Sequence, residues 1–453
     1  MQTVLHVVTV LVLLAFALSA SPAQAAGGVV DVCDEAHFLT ALASGGTVTF
    51  ACSGAITLSN TIVVSTNTSI DGTGQAVAIS GNHAVGVFRV NSGATLNLNE
   101  LTIADGNADY GGGIRNLGIL TVSNSTFSAN SAEYDGGGIY DQGGPVSISN
   151  SIFVGNSAGL GGGIYSRGSM LMVDDSAFSG NNAATRGGGL YITSPSLLAV
   201  SNSAFDDNSA GNSGGGIGIG NCPATVSKST FFSNSAGDGG GVSIHSGGLT
   251  LSNSTLVGNS ASRYGGAVIF SPGALTVSNS TFSGNYAPNG GGIANVSGMS
   301  GVVTLENTIV ANSPTGGNCY GAITDGGGNL SYPDTTCPGI DADPVLGPLQ
   351  DNGGPTETMA LGEGSAAIDA GDDAICAAPP VDNLDQRGVA RPQGAHCDIG
   401  AVEQFQESTA VSLSGFSAGS VPGAIPPVVV FGLLLVALAG IGAFRRTRPM
   451  GRD

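Results

Sequence analysis

Short bursts of alternating apolar and polar residues run through the chain, such as Leu120 to Asn124 and Leu275 to Asn279. Alternation of this kind predicts short strands with one buried face. The bursts return in phase with a tripeptide, Gly-Gly-Gly followed by an aliphatic residue. Its copies begin at Gly111, Gly136, Gly161, Gly187, Gly214, Gly239, Gly265 and Gly290, in steps of 25 to 27 residues, with Ala267 as third member of the seventh copy. A second motif, an apolar residue three positions before an asparagine, recurs in step. Its asparagines are Asn130, Asn156, Asn181, Asn208, Asn234, Asn259, Asn285 and Asn312. The apolar residue is mostly phenylalanine: Phe127, Phe153, Phe178, Phe205, Phe231 and Phe282.

A period of about 26 residues is too short for a propeller blade, and the leucine-rich pattern is missing. Three glycines and several β-branched residues per copy disfavour helices. The remaining architecture is a coil of three short strands per turn, a β-solenoid; it is read as an all-β, right-handed parallel β-helix, and resembles the fold that also hosts pectin-lyase-like enzymes. A single coil cannot bury its apolar side, so like residues must stack on like at about 4.8 Å. Ile114, Ile139, Ile164, Leu190, Ile217, Val242, Val268 and Ile293 then form one interior column, and the phenylalanines a second. Asn124, Asn150, Asn202, Asn253, Asn279 and Asn307 form a third at a corner, with Asp175 and Lys228 standing in for asparagine; this column is expected to carry an amide ladder. The glycine runs supply left-handed backbone at the bends. Asp34 to Leu42 reads as a short amphipathic helix capping the first coil, with Phe38, Leu39 and Leu42 apolar. Thr47 to Leu101 reads as two or three less regular coils. About eleven coils make a rod on the order of 50 Å long.

The ends differ from the body. Residues 1–25 read as a signal peptide: an apolar run from Val4 to Ala20, then Ala23-Gln24-Ala25, placing the mature start at Ala26. Ser408 to Ser420 has linker composition, within a linker spanning 406–424. Residues 425–444 form an apolar stretch of membrane-crossing length, and Arg445, Arg446 and Arg448 open the basic tail 445–453. This order of linker, proline-rich step, apolar span and arginines resembles the C-terminal sorting signals of bacterial surface proteins.

The in-phase pairing of the glycine tripeptide with the Phe-x-x-Asn motif resembles the repeat of the polymorphic outer membrane proteins of chlamydial type. It covers Leu101 to Asn312. That resemblance implies a cell-surface or outer-membrane β-helix, but no membrane barrel follows the repeats here, so autotransport is not carried over. Residues 314–405 resemble the choice-of-anchor Q domain of bacterial surface proteins. The matching residues are Asp343 to Leu349, Asp351 to Thr356, Gly364 to Gly371, Asp385 to Gly388, Arg391-Pro392 and Cys397 to Glu403. The resemblance implies an anchor-associated module and names no activity. The divisions are therefore 26–100 for the cap and first coils, 101–313 for the repeats and 314–405 for the module.

Composition refines this picture. The net charge is −20 with only 12 Lys and Arg, which excludes generic nucleic-acid binding. Seven cysteines suit an oxidising compartment. Sequence proximity suggests the pairs Cys33 with Cys52, Cys319 with Cys337 and Cys376 with Cys397, leaving Cys222, although six cysteines allow 15 pairings. Acidic turns such as Asp341/Asp343 or Asp369/Asp372/Asp373 could hold Ca²⁺, but no spacing matches an EF-hand or an RTX nonapeptide. No other cofactor is implied.

Two kinds of chemistry remain. Carbohydrate hydrolysis needs converging carboxylates. The acid pairs Asp174-Asp175 and Asp206-Asp207 fall in different columns of the repeat, so they read as solvated turn acids. The residue after each interior aliphatic should point outward. In successive coils it is Arg115, Tyr140, Tyr165 and Tyr191, a flat aromatic strip ending in a cation. Such a strip suits stacking of a glycan or packing of a cell-surface protein. The expectation is a non-enzymatic surface rod for adhesion, envelope structure or ligand display, held to the bacterial membrane by its C-terminal span. The alternative is a polysaccharide lyase or glycoside hydrolase.

Overall fold

The computed structural model describes residues 27–194, 196–298 and 301–405. The signal peptide and the C-terminal anchor, linker and basic tail expected from sequence lie outside these residues. No described helix is long and apolar enough to cross a membrane.

The body is a right-handed parallel β-helix. Each regular coil lays four short strands into three parallel sheets, one strand more than expected. In one coil these are Ile114–Asn116 and Ile119–Ser123 in the first sheet, Thr126–Ser128 in the second and Ser131–Asp135 in the third. Like pairs with like: Ile114 with Ile139, Phe127 with Phe153 and Ser131 with Ser157. The early coils keep the same register, with Thr47 on Ser69 and Ser69 on Asn97. Parallel pairing continues to Ile340–Asp341, so the coils run on past residue 313.

The core is the two expected columns. The aliphatic column is fully buried from Ile114 to Ile293. Phe127, Phe153, Phe178, Phe205 and Phe231 stack face to face with ring centroids 4.7–4.8 Å apart, the coil repeat itself.

The amide ladder belongs to a different asparagine from the one expected. Asn130, Asn156, Asn181, Asn208, Asn234, Asn259 and Asn285 are completely buried. From Asn156 onward, each side-chain oxygen accepts from the backbone N–H and the amide of the asparagine one coil earlier, as Asn208 does from Asn181 at 3.1 and 2.9 Å; Asn130 opens the ladder by accepting from the Gly106 N–H at 2.9 Å. The Asn124 column has another task. Asn124, Asn150, Asn202, Asn253, Asn279 and Asn307 all sit at φ of 45–50°, and Asp175 and Lys228 take the same turn at 45° and 50°. Left-handed geometry selects this column, and side-chain bonding within it is sporadic. Asn312 leaves the ladder because its coil is one residue short; it is exposed at φ 59°.

The glycine tripeptides do more than bend the chain. Only the first of each three, such as Gly161 at φ 61°, is left-handed. The second and third lie where a Cβ would strike the next coil: at Gly162 it would sit 2.5 Å from two backbone oxygens, those of Asn182 and Gly188.

The expected cap is the helix Glu35–Leu42, started by the Asp34 side chain accepting from the His37 N–H. It buries Phe38 and Ala41, with Phe38 against Phe50 at 5.8 Å, while Leu39 faces solvent. At the other end, residues 342–405 fold back along the outer face of the second sheet. They contain an antiparallel pair, Leu346–Gln350 with Thr358–Leu361, and a short helix, Asp373–Ala377. Ile309, Ala311 and Leu330 of the coils close a small core with Leu361, Ala367 and Ile399.

Candidate functional site

The three disulfides are the pairs suggested by sequence proximity, Cys33–Cys52, Cys319–Cys337 and Cys376–Cys397. Cys222 is buried and free, its thiol pushed up to about 11 by burial.

Asp385, Gln386, Arg387, Arg391 and Glu403 of the module make contacts inside the chain. Asp385 pairs with Arg387 at 2.7 Å, and Arg391 with Glu403 at 3.3 Å. Arg391 also donates to the carbonyls of Asp398 and Gly400 at 2.7 Å each. Gln386 reaches the coils: its oxygen accepts from Thr255 at 2.6 Å, and its nitrogen donates to Thr230 and Thr356 at 2.9 Å. These polar residues are buried and paired within the chain; Asp385, Arg387, Arg391 and Glu403 tie the module to itself, and Gln386 ties it to the coils. The proposed calcium turns are used locally. Asp372 caps the helix at Ala374 N–H, Asp373 holds His396 at 2.8 Å, and Asp343 accepts from Val345 N–H.

The acid pairs do not converge. Asp174 lies in the first sheet and accepts from Ser201 Oγ and Asn202 Nδ2 at 2.6 and 2.9 Å. Asp206 lies in the second sheet, where burial, then Asp207 and Glu357, raise its pKa.

The outward column is real in register: Arg89, Arg115, Tyr140, Tyr165, Tyr191 and Gly218 follow one another coil by coil. The tyrosines are not the exposed flat strip expected, since each is only 6% exposed. The reason lies across the glycine turn. A second column, Tyr110, Asp135, Leu160, Arg186 and Ser213, leads into each tripeptide. With no side chains on the turn, the two columns meet. Tyr110 packs on Tyr140 at 5.0 Å, and Leu160 joins the tyrosine cluster. Tyr140 and Tyr165 stack at 5.4 Å, and Tyr165 meets Tyr191 tilted at 5.8 Å. Arg115 lies over the Tyr110 ring at 5.7 Å, and Arg186 Nη1 reaches Tyr191 Oη at 3.4 Å. The tyrosines are thus the floor of a mixed aromatic and basic face.

Burial, then Asp135, push the Tyr165 phenol up to about 12. Its ordinary value is about 10 in an unfolded chain. The unfolded form therefore ionises first, and the stability this phenol contributes is lost as pH rises from about 10 through about 12. Tyr165→Phe is expected to flatten that alkaline decline in a pH series of denaturation midpoints. An unchanged slope would remove Tyr165 as its source. Burial also raises Asp135, opposed by Arg167. Further along, His245 contacts Ser213 Oγ at 3.1 Å, and burial, then Arg186, lower its pKa.

Sequence reasoning found Arg115 and the tyrosines but missed Tyr110, Arg167 and Arg186. The signal was available: Tyr110 and Arg186 each immediately precede a glycine tripeptide, one further column of the same repeat.

At the early end of this face is a cleft of about 280 Å³, lined by Thr61, Val63, Phe88, Arg89, Tyr110 and Arg115 among others. Among the described residues no group of three or more His, Cys, Asp or Glu is arranged to hold a metal ion.

No curated protein matches the chain in sequence. Among solved structures it is similar to the alginate lyase AlyF-OU02 in complex with G6, at 16% identity and a TM-score of 0.37, over 70% of this chain and 65% of that one. It is also similar to the pectate lyase Pel9A, at 13% identity and a TM-score of 0.39, over 81% of this chain and 90% of that one. The chain thus spans just under two thirds of the first of these structures, and neither likeness bears on activity. Two family models match, one for a right-handed β-helix region at residues 146–313 and one for the Chlamydia polymorphic membrane protein repeat at residues 124–142. The coils are accordingly a right-handed β-helix, of which residues 124–142 are similar to the Chlamydia polymorphic membrane protein repeat.

Proposed function

We propose that this chain is an exported, non-enzymatic surface β-helix that displays a ligand-binding face for adhesion or envelope contact. The observation that carries the reading is the repeat itself, whose residues 124–142 match the Chlamydia polymorphic membrane protein repeat. Three disulfides support an oxidising setting. The ligand face in this reading is the one built on Arg115, Tyr140, Tyr165 and Tyr191, facing a glycan or a cell-surface protein. Residues 314–405 serve as the choice-of-anchor Q-like module, and residues 425–444 as the membrane or sorting segment that follows it.

Separation of the acid pairs onto different sheets speaks against a hydrolase. The test has two arms. Intact-mass analysis with surface protease digestion of producing cells should find the coils outside the cell and the leader removed. A polysaccharide panel incubated with the full chain should yield neither new reducing ends nor unsaturated sugars. An intracellular, unprocessed chain would sink the surface reading, and product formation would replace it with the lyase or hydrolase.

A further inference from the structure

The protein is strongly acidic, yet its cations are not scattered. The described residues contain eight Lys and Arg. Arg387 and Arg391 are sealed in the module with Asp385 and Glu403, and Arg263 pairs with Asp238. Lys228 occupies a left-handed corner at φ 50°. The other four, Arg89, Arg115, Arg167 and Arg186, all belong to the tyrosine-floored face. None of the four forms an ion pair with a carboxylate among the described residues.

Their placement follows the repeat. Arg89 and Arg115 are register partners on adjacent coils and both line the 280 Å³ cleft beside Tyr110. Arg167 is two residues beyond Tyr165, near enough to act on Asp135, Tyr140 and Tyr165. Arg186 lies one coil further, against Tyr191. The Nε atoms of Arg115 and Arg186 are buried and without a hydrogen-bond partner. Four coil steps separate Arg89 from Arg186, so the guanidinium groups spread over roughly 20 Å. Three carboxylates share the face: Asp109 in the cleft, Asp135 beside Arg167, and Asp238, the register partner of Ser213, which is already paired with Arg263.

We propose that this face binds an acidic polysaccharide, its carboxylate or sulfate groups held by Arg89, Arg115, Arg167 and Arg186 and its sugar rings laid against Tyr110 and the tyrosine floor. The inference deepens the surface-display reading and rests on it. Planar guanidinium groups suit carboxylate and sulfate oxygens in pairs, and a row of them along a rod suits a linear polyanion. An acidic chain that gathers four arginines without ion-pair partners on one face attracts anions there while repelling them elsewhere.

The experiment titrates the full chain with heparin, polygalacturonate, neutral dextran and polyglutamate at low and high salt. Heparin or polygalacturonate should bind, dextran should not, and the affinity should fall steeply with salt. Changing Arg89, Arg115, Arg167 and Arg186 together to Gln should weaken binding about tenfold or more. The corresponding four-Lys variant, which keeps the charge and loses the planar fork, should recover part of it. Arg263→Gln, with its partner Asp238 outside the cleft, should bind as the parent does. Circular dichroism melts of each variant confirm that a folded rod is compared. Equal binding of dextran, or full affinity in the four-Gln variant, overturns the proposal. Binding of polyglutamate without either acidic glycan also overturns it and points to an acidic protein partner. Failure of every probe while the chain still adheres to cells defeats the acidic-glycan inference and leaves surface display standing. Binding with release of unsaturated sugars upholds the ligand class and overturns the non-enzymatic reading.

Discussion

Replacing Gly162 by alanine is expected to split the stack of coils. The new Cβ would lie 2.5 Å from the carbonyl oxygens of both Asn182 and Gly188, and these are backbone atoms of the next coil. No rotamer relieves such a contact, so the coils must separate and give up strand hydrogen bonds on either side. The cost is about 4 kcal/mol or more, at the top of the range for single substitutions. Gly155 is the control. It holds a left-handed corner that recurs coil by coil, at φ 63°, and that Ala129 already occupies one coil earlier at φ 52°; nothing lies within 4 Å of its Cβ position. Gly155→Ala therefore meets only the left-handed penalty of about 1–2 kcal/mol. Denaturation midpoints and hydrogen exchange across the neighbouring coils measure the difference. Equal losses at the two sites would mean that the close approach of the next coil at Gly162 adds nothing beyond the cost of a left-handed corner.

Asn181→Leu is expected to be nearly as damaging, although leucine is close in size. Asn181 Oδ1 accepts from both the backbone N–H and the amide of Asn156, and its own amide donates to Phe153 O at 2.9 Å. All of these groups are buried. Leucine would leave two donors and a carbonyl unsatisfied in a site no water can enter without parting the coils. At about 1–3 kcal/mol for each orphaned group, the loss is about 4 kcal/mol or more. Asn124→Asp is the contrasting change: that corner needs a residue tolerant of left-handed geometry, and Asp175 already holds the same turn at φ 45°. It should cost under about 1 kcal/mol. Chemical denaturation of both variants checks the ranking. A cheap Asn181→Leu would show that the ladder decorates the stack without holding it. Because solenoid coils interact mainly with neighbours, unfolding of either damaged variant should begin near the substitution.

Much of this fold was legible in the chain. Repeating residues in a solenoid must lie on copies of themselves, so an in-phase motif reports the coil period, the interior columns and even the outward register of Arg115, Tyr140, Tyr165 and Tyr191. The helix at Glu35–Leu42 and the paired cysteines were legible because both are local. The number of strands per coil was less so, since the corner between Asn116 and Ile119 is too short to show as a break in the alternation.

The two asparagine columns mark the limit. Both recur every coil, and periodicity cannot tell an inward amide from a left-handed corner. Only the path of the backbone separates Asn130, sealed in the core, from Asn124 at the turn. The tyrosines mark it again. Their outward direction followed from strand alternation, but their burial depended on a second column meeting them across a glycine turn, and convergence across a bend is not a property of spacing along a strand. The sequence by itself determined the rod, its period and its core, because stacking makes neighbours in space of residues one period apart. Tertiary structure alone decided that the module's polar motif residues are an internal clamp and that the two arginine-bearing columns meet as one face, because the clamp joins parts of the chain that no period relates and the columns converge across a turn.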